Sequence, residues 1–236
     1  MRGLISSSAG HVCAVRFENR ADAGRALAEE LQSYAGRADA VVLALPRGGV
    51  VVGFELARAL TLPLDVYLVR KLGVPGREEL AMGAIASDGT RVLNATLVAR
   101  LGITDQQIMS TALEEGRELD RRERAYRRGR QAVEVGGRTV ILVDDGVATG
   151  ASMRVAALAL RARRPERIVI AVPVGAKSVC GSLARLVDEL VCPNTSETLP
   201  AVGAAYDDFS QTSDEEVCEL LARASDGSTL SRSPRG

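Results

Sequence analysis

The apolar residues of this chain are concentrated in four short continuous runs. They are Val41–Leu45, Leu64–Val69, Val140–Val143 and Ile168–Val172. A strand covered on one face alternates apolar and polar residues, whereas a parallel strand covered on both faces is apolar throughout. Segments of helical length lie between the first two runs and between the last two. The pattern predicts an α/β fold with a doubly wound parallel sheet.

Two further segments have helical patterns outside this core. Asp22–Tyr34 is amphipathic, and Asn94–Arg130 is rich in charge, with Thr104 and Gln107 at capping-box spacing. Its opposite charges recur four residues apart, in the pairs Glu118–Arg122, Asp120–Arg124 and Glu123–Arg127. We therefore expect a solvated, self-paired helix face rather than a nucleic-acid patch.

Composition narrows the class of protein. The 236 residues are 46% hydrophobic, and 30 Lys and Arg balance 30 Asp and Glu, so no overall charge indicates nucleic acid or membrane as a partner. Four scattered cysteines and the single histidine, His11, argue against a zinc site and favour a reduced, cytoplasmic protein. We expect one domain over residues 1–225 and a disordered tail over 226–236.

Glycine-containing segments follow three of the predicted strands. They read "LPRGG", "RKLGVPG" and "DDGVATG". In open α/β sheets, ligands bind beyond the carboxyl ends of the strands. These three segments are therefore the candidate site.

The third segment has the composition of a phosphate-binding loop. Small residues let successive backbone N–H groups approach an anion, and the next helix presents its positive end. Hydroxyls of Thr149 and Ser152 add donors. The Walker A and dinucleotide-binding spacings are absent. The predicted loop consists of Gly146, Val147, Ala148, Thr149, Gly150, Ala151 and Ser152.

Two acids, Asp144 and Asp145, stand directly before this loop. Carboxylates repel phosphate, so they must face another part of the same ligand. Vicinal sugar hydroxyls suit them, because an ionised carboxylate accepts strongly from O–H. The sequence therefore predicts a ribose phosphate as ligand.

An apolar run, two acids and a small-residue loop ending in Thr-Gly, here "VILVDDGVATG", resemble the signature of the type I phosphoribosyltransferases. The resemblance implies phosphoribosyl pyrophosphate (PRPP) and Mg²⁺, the latter held mainly through PRPP. It covers residues 41–175 as a core. Residues 94–130 are then a helical insertion, and residues 176–225 a C-terminal hood that selects the nucleophile.

The resemblance assigns roles to the other two loops. "LPRGGV" matches the pyrophosphate loop, in which members often hold a non-proline cis peptide, and it implies that Arg47, Gly48 and Gly49 bind pyrophosphate. Arg70 and Lys71 match a basic pair that begins a mobile catalytic loop. That loop is expected over Arg70–Ile85, with hinges at Gly73, Pro75 and Gly76. Because Ala148 cannot transfer a proton, the candidates for that step are Glu78 or Glu79 in this loop and Asp207 or Asp208 in the hood, unless the two glutamates are plain solvated charges.

The nucleophile is the least determined part. Tyr206, Asp207 and Phe209 are candidates for contact with a base, although the two rings could instead anchor a C-terminal helix that begins near Ser213. Hypoxanthine-guanine members carry an aspartate where this chain has Ala148. That difference argues against a 6-oxopurine mechanism of their kind, and the base itself is not derivable.

Two classes of function follow. The first is a Mg-PRPP-dependent enzyme that transfers phosphoribose to a nitrogenous base, with PRPP and the base as partners and a homodimer as a possible assembly. The second is a non-catalytic PRPP-binding regulator with a nucleic-acid or protein partner. A PRPP-synthase-like or purely structural relative is a third, weaker alternative.

Overall fold

A five-stranded parallel sheet with the order β2-β1-β6-β7-β9 forms the centre of the molecule. The computed structural model describes residues 16–230, except for the side chains of Glu79 and of residues 226–230. The strands of the central sheet are β1 (Ala40–Ala44), β2 (Leu64–Val66), β6 (Thr139–Val143), β7 (Arg167–Ala171) and β9 (Glu189–Val191). The predicted fold class and the four apolar runs are confirmed; edge strand β9 was not predicted.

Helices cover both faces of this sheet. They are α1 (Arg20–Glu30), α2 (Gly48–Leu60), α5 (Ala151–Ala162) and α6 (Lys177–Ala184). Neighbouring residues of a strand point to opposite faces. In β6, Val140 and Leu142 pack in the cluster that contains α5 residues, whereas Ile141 and Val143 pack in the cluster that contains α1 and α2 residues. This double coverage explains why the strand is apolar at every position from Val140 to Val143.

A second, antiparallel sheet occupies the place of the predicted catalytic loop. It contains β3 (Val69–Val74), β4 (Arg77–Ala86) and β5 (Arg91–Leu93). The predicted loop over Arg70–Ile85 is therefore wrong as to structure, because the segment is a hairpin that turns at Pro75 and Gly76. Its apolar side chains, such as Leu72 and Met82, are buried against the insertion.

The insertion forms two helices, α3 (Ala95–Leu101) and α4 (Asp105–Arg127). The capping box of Thr104 and Gln107 is present, as are the Glu118–Arg122 and Glu123–Arg127 pairs, while Arg124 donates to the backbone oxygen of Asp120 instead. The expected solvated, self-paired face is present at Arg121 and Arg124, which are exposed, but does not extend to Arg127. Leu119, Tyr126 and Arg127 are buried, because α4 packs on the hairpin, and Arg127 pairs with Asp65 of β2.

The hood combines chain segments that are far apart in sequence. Phe17 N–H donates to Ala205 O, and Phe17 O accepts from Asp207 N–H, so residues 16–20 lie beside residues 205–210. Two short parallel strands, β8 (Val174–Ala176) and β10 (Asn194–Ser196), and 3₁₀ turns at Gln32–Tyr34 and Val202–Ala205 complete the elements before α7 (Asp214–Leu230).

The ends of the described chain differ from the predicted boundaries. Helix α1 begins at Arg20, two residues before the predicted start, with Asn19 as its cap. Helix α7 continues to Leu230 and so overlaps residues 226–230 of the predicted disordered tail, which stays a prediction. Residues 231–236, His11 and Cys13 lie outside the described part. None of the helices within residues 16–230 has the length and apolar composition that crossing a bilayer requires.

Candidate functional site

The loop after β6 presents an open helix start to solvent. Gly150, with a φ of 70°, adopts the left-handed conformation that favours glycine and precedes α5. Thr149, Ala151 and Ser152 are exposed. The N-cap residue, Gly150, has no side chain to cap α5, and the N–H of Ala151 makes a long contact of 3.5 Å with Thr149 Oγ1, so the N–H groups of the first turn can reach an anion. The position agrees with the predicted phosphate loop.

Val147 differs from the rest of this loop. Its N–H donates to Val174 O and its carbonyl accepts from Ala176 N–H, both at 2.9 Å. The side chain is buried. The predicted contact of Val147 with the ligand stays a prediction, and its backbone bonds and burial do not favour it. Val147 instead forms an isolated bridge with Gly175 that fixes the loop to the sheet.

Asp145 forms an ion pair with Arg20, a residue that the sequence did not mark as part of the site. Arg20 Nε donates to Asp145 Oδ2 at 2.7 Å, and both side chains are largely buried. The guanidinium of Arg20 also lies 3.8 Å from the centroid of the Phe209 ring and donates to Ser210 O. Arg20 lies 125 residues from Asp145 in the chain, and no local pattern marks such a pair.

Both acids have perturbed acidities. Burial raises the pKa of Asp144 well above its ordinary value, and the negative charge of Asp145 raises it further. Burial also raises the pKa of Asp145, although the hydrogen bond from Arg20 opposes this. Two half-buried carboxylates side by side are costly for folding, which is typical of a functional site.

The loop after β1 approaches these acids closely. Its Pro46–Arg47 peptide bond is cis, as the resemblance implied. A Cβ on Gly48 would lie 2.0 Å from Asp145 Oδ2, so any side chain there would displace this carboxylate. A Cβ on Gly49 would lie 2.9 Å from Asp144 Cα. The predicted pyrophosphate loop and the predicted ribose acids therefore meet at one edge of the sheet.

A cleft of about 340 Å³ opens beside the β1 loop. It is lined by Leu45, Pro46, Tyr67, Leu68, Val69, Arg70, Lys71, Glu115, Leu119, Arg122 and Ser152. Of the predicted catalytic residues, Arg70 and Lys71 line it. Arg70 donates to Glu115 at 2.5 Å, and Arg47 lies 4.0 Å from Asp214. The cleft thus contains both predicted members of the basic pair.

Glu78 does not line this cleft. It is exposed on β4, next to the hairpin turn. The backbone of Glu79 belongs to the same strand, and its side chain lies outside the described part. The proton-transfer role proposed for either glutamate stays a prediction.

The two hood aromatics have different environments. Tyr206 is buried, packs between Phe17 and Phe209, and donates its hydroxyl to the backbone oxygen of Asp145 at 2.5 Å. Its burial favours the other predicted role, that of an anchor, here of the hood, and its contact with a base stays a prediction. Phe209 is 37% exposed and stays a candidate, although Arg20 covers part of its ring. Asp207 is exposed and pairs with Arg16.

Metal ligands do not converge in the described residues: they contain no group of three or more His, Cys, Asp or Glu side chains that could hold an ion.

The sequence and the fold of this chain are similar to those of known proteins. Residues 16–187 match the family described as the phosphoribosyl transferase domain. A Mycobacterium tuberculosis protein (strain H37Rv), named "Putative phosphoribosyl transferase Rv0571c", is 46% identical over 208 residues. A second protein of this species, from strain CDC 1551 and named "Putative phosphoribosyl transferase MT0597", is also 46% identical over 208 residues. Both alignments cover 88% of this chain and 47% of the relative, so the chain spans about half their length.

A solved structure has a similar fold and a similar sequence. The crystal structure of TT1426 from Thermus thermophilus superimposes with a TM-score of 0.81 at 42% identity, covering 88% of this chain and 98% of that one. The family match includes the loops after β1, β2 and β6, where the candidate site lies. This chain therefore belongs to the phosphoribosyl transferase family.

Proposed function

We propose that this protein is a phosphoribosyltransferase that uses PRPP to transfer phosphoribose to a nitrogen of a base, with release of pyrophosphate. The observation that carries the proposal is the uncapped start of α5, which closely follows the acids Asp144 and Asp145. Donors for a phosphate and acceptors for sugar hydroxyls thereby belong to one short loop. A ribose phosphate requires both groups.

Sugar binding is assigned to Asp144 and Asp145. Arg20 uses Oδ2 of Asp145, and a carboxylate has about four acceptor positions, so Oδ1 can accept a ribose hydroxyl while Arg20 stays in place. Arg20 is then a positioning residue that fixes the orientation of Asp145. The 5-phosphate would contact the N–H groups and hydroxyls of residues 148–152.

Departure of pyrophosphate is assigned to Arg47, Arg70 and Lys71. The bond between ribose C1 and a pyrophosphate oxygen breaks, and its electron pair leaves on that oxygen. The lone pair of the acceptor nitrogen forms the new bond to C1, and the acceptor gives up a proton. Cations beside the oxygen stabilise the growing charge, which is the largest electrostatic demand of the reaction.

Magnesium fits this site if PRPP supplies most of its ligands. Mg²⁺ prefers water, phosphate oxygens and one or two carboxylates, and here Asp144 and Asp145 are the carboxylates beside the expected sugar. The bound ion would neutralise charge on the pyrophosphate. Phe209 and the open edge of the hood are the proposed place for the base, and Ala148 still argues against 6-oxopurines.

Ligand-dependent thermal unfolding tests the proposal. PRPP with Mg²⁺ at about 100 times its dissociation constant should stabilise the protein by about 2.7 kcal/mol, because it binds only the folded state. Ribose 5-phosphate should stabilise it less, and a panel of bases should then identify the acceptor by release of pyrophosphate. Absence of any shift with saturating Mg-PRPP would contradict the proposal.

A further inference from the structure

One face of α4 forms a wall of the cleft. Glu115, Leu119 and Arg122 all line it, and their spacing of four and three residues places them on the same side of the helix. Arg70 and Lys71 from the β3 strand also line it, and Arg70 contacts Glu115. The insertion is therefore part of the cleft in which the departing pyrophosphate is expected.

Arg121 and Arg122 of α4 both donate hydrogen bonds to Glu118, but with different numbers of donors. Arg121 donates through both Nε and Nη2, at 2.8 and 2.9 Å, and is 58% exposed. Arg122 donates through Nε, at 2.7 Å, and is 35% exposed. A guanidinium has five N–H donors, so the bond to Glu118 orients Arg122 while the donors on its terminal nitrogens remain for a ligand. Arg121 lies outside the cleft lining.

The charges around the cleft favour a polyanion. Three cationic side chains line it, namely Arg70, Lys71 and Arg122, against one carboxylate, Glu115. Glu115 pairs with Arg70, so it also fixes the orientation of that cation. Apolar neighbours such as Leu45 and Leu119 reduce screening by water, which strengthens attraction between a bound anion and these cations.

We infer that Arg122 binds pyrophosphate, and that the helical insertion thereby completes the leaving-group site. The inference rests on the proposed function. Arg122 donates to pyrophosphate oxygens, and the bonds strengthen as the C1–O bond breaks and its electron pair moves to the leaving oxygen. Because a guanidinium binds phosphate oxygens in pairs, Arg122 suits this role better than a lysine at the same place.

Calorimetric titration of three proteins tests the inference with three ligands. The proteins are the wild type, Arg122→Ala and Arg121→Ala, and the ligands are Mg-PRPP, Mg-pyrophosphate and ribose 5-phosphate. We expect Arg122→Ala to weaken PRPP and pyrophosphate binding by about 10- to 100-fold and to leave ribose 5-phosphate binding unchanged. Arg121→Ala removes the same charge and a partner of the same Glu118 from the adjacent position, and should change none of the three affinities.

The outcomes separate the inference from the proposed function. Equal loss in both variants, or an unchanged pyrophosphate affinity in Arg122→Ala, would overturn the role of Arg122 while PRPP binding by the wild type stood. A wild type that binds neither PRPP nor pyrophosphate would overturn the proposed function itself. If Arg122→Ala lowers the unfolding temperature, Arg122→Gln retains the length and polarity of the side chain and should show the same ligand-selective loss.

Discussion

The loop after β6 and the region formed by the β3–β4 hairpin and α4 are both parts of the candidate site, but they are built differently. The β6 loop is one continuous segment, Asp144–Ser152, in which acids, glycines and the helix start are adjacent. The hairpin region brings Arg70 together with Glu115 and Arg122 across 45 or more residues. The first region therefore depends on residues that are adjacent in the sequence, whereas the second depends on contacts between segments that are far apart in the chain.

The largest expected effect concerns the β6 loop. Replacing both acids, as Asp144→Asn with Asp145→Asn, removes two charged acceptors for ribose hydroxyls while retaining size. Hydrogen bonds to charged groups contribute about 1.5–3 kcal/mol each, so PRPP affinity should fall by about 3–6 kcal/mol in the double variant, and by less in either single variant. Titration calorimetry measures the change, with circular dichroism as the check on folding. Undiminished PRPP binding by a folded double variant would refute the ribose assignment.

A second substitution tests whether α4 is fixed by its packing. Arg127 and Asp65 form a buried pair, with side chains 9% and 12% exposed. Arg127→Ala leaves Asp65 unpaired, so the free energy of unfolding should fall by about 3–5 kcal/mol. Arg121→Ala, on the exposed side of the same helix, should change it by about 0.5 kcal/mol or less. Chemical denaturation compares the two, and equal effects would mean that the buried pair is not what attaches α4.

The third prediction separates catalysis from sugar binding. Lys71→Ala and Arg47→Ala should lower turnover on an identified base by about 2.7–4 kcal/mol in activation free energy, because each loses a cation beside the departing pyrophosphate. The affinity for ribose 5-phosphate should be unchanged, since that ligand lacks the pyrophosphate. Steady-state and binding measurements together decide. Normal turnover in both variants would make these residues part of the scaffold.

The smallest expected effect is on stability and depends on pH. The pKa of Asp144 is raised in the folded protein, so folding is favoured below the pKa of the unfolded chain, and this contribution is lost as pH rises through the folded-state pKa. Asparagine does not ionise and its Oδ1 can still accept the N–H of Asp145. Asp144→Asn should therefore be more stable than the wild type at neutral pH, by about 0.5–2 kcal/mol.

The difference should shrink as the pH falls toward about 4, where the unfolded carboxyl is half-protonated. Thermal unfolding of both proteins across that pH range, without ligand, tests it. A stability gain that stays constant with pH would show that ionisation of Asp144 is not its cause.

The contrast between the two regions explains what could be predicted from the sequence. Strands β1, β6 and β7 were predictable because burial on both faces leaves an apolar run in each, and β2 was predictable from the apolar residues that flank Asp65. The small residues of the loop after β6 likewise indicated a phosphate-binding loop from the sequence alone. Arg70–Ile85 was predicted as a loop because its glycines and proline mask a strand pattern, and its burial depends on contacts with α4 that no local spacing encodes.

Arg20 and Tyr206 illustrate the same limit within the site. Arg20 is an ordinary charged residue at a helix start, and its role depends on Asp145, which is 125 residues away. Tyr206 resembles a stacking residue in the sequence, yet its ring fills the hood and its hydroxyl reaches the backbone of Asp145. Contacts between residues so far apart in the chain cannot be predicted without the three-dimensional structure.

The pairing of residues 16–20 with residues 205–210 has a consequence for synthesis of the protein. Arg20 and Ser210 are 190 residues apart, and Arg20 reaches its partners in the hood only after that whole stretch has been made. At about 5–20 residues per second, a ribosome needs roughly 10–40 s to do so. For the later part of this interval Arg20 and Asp145 are both present, but Phe209 and Ser210, which also contact Arg20, are not. In an incomplete chain, the acids of the site are therefore present before the hood that helps to orient them.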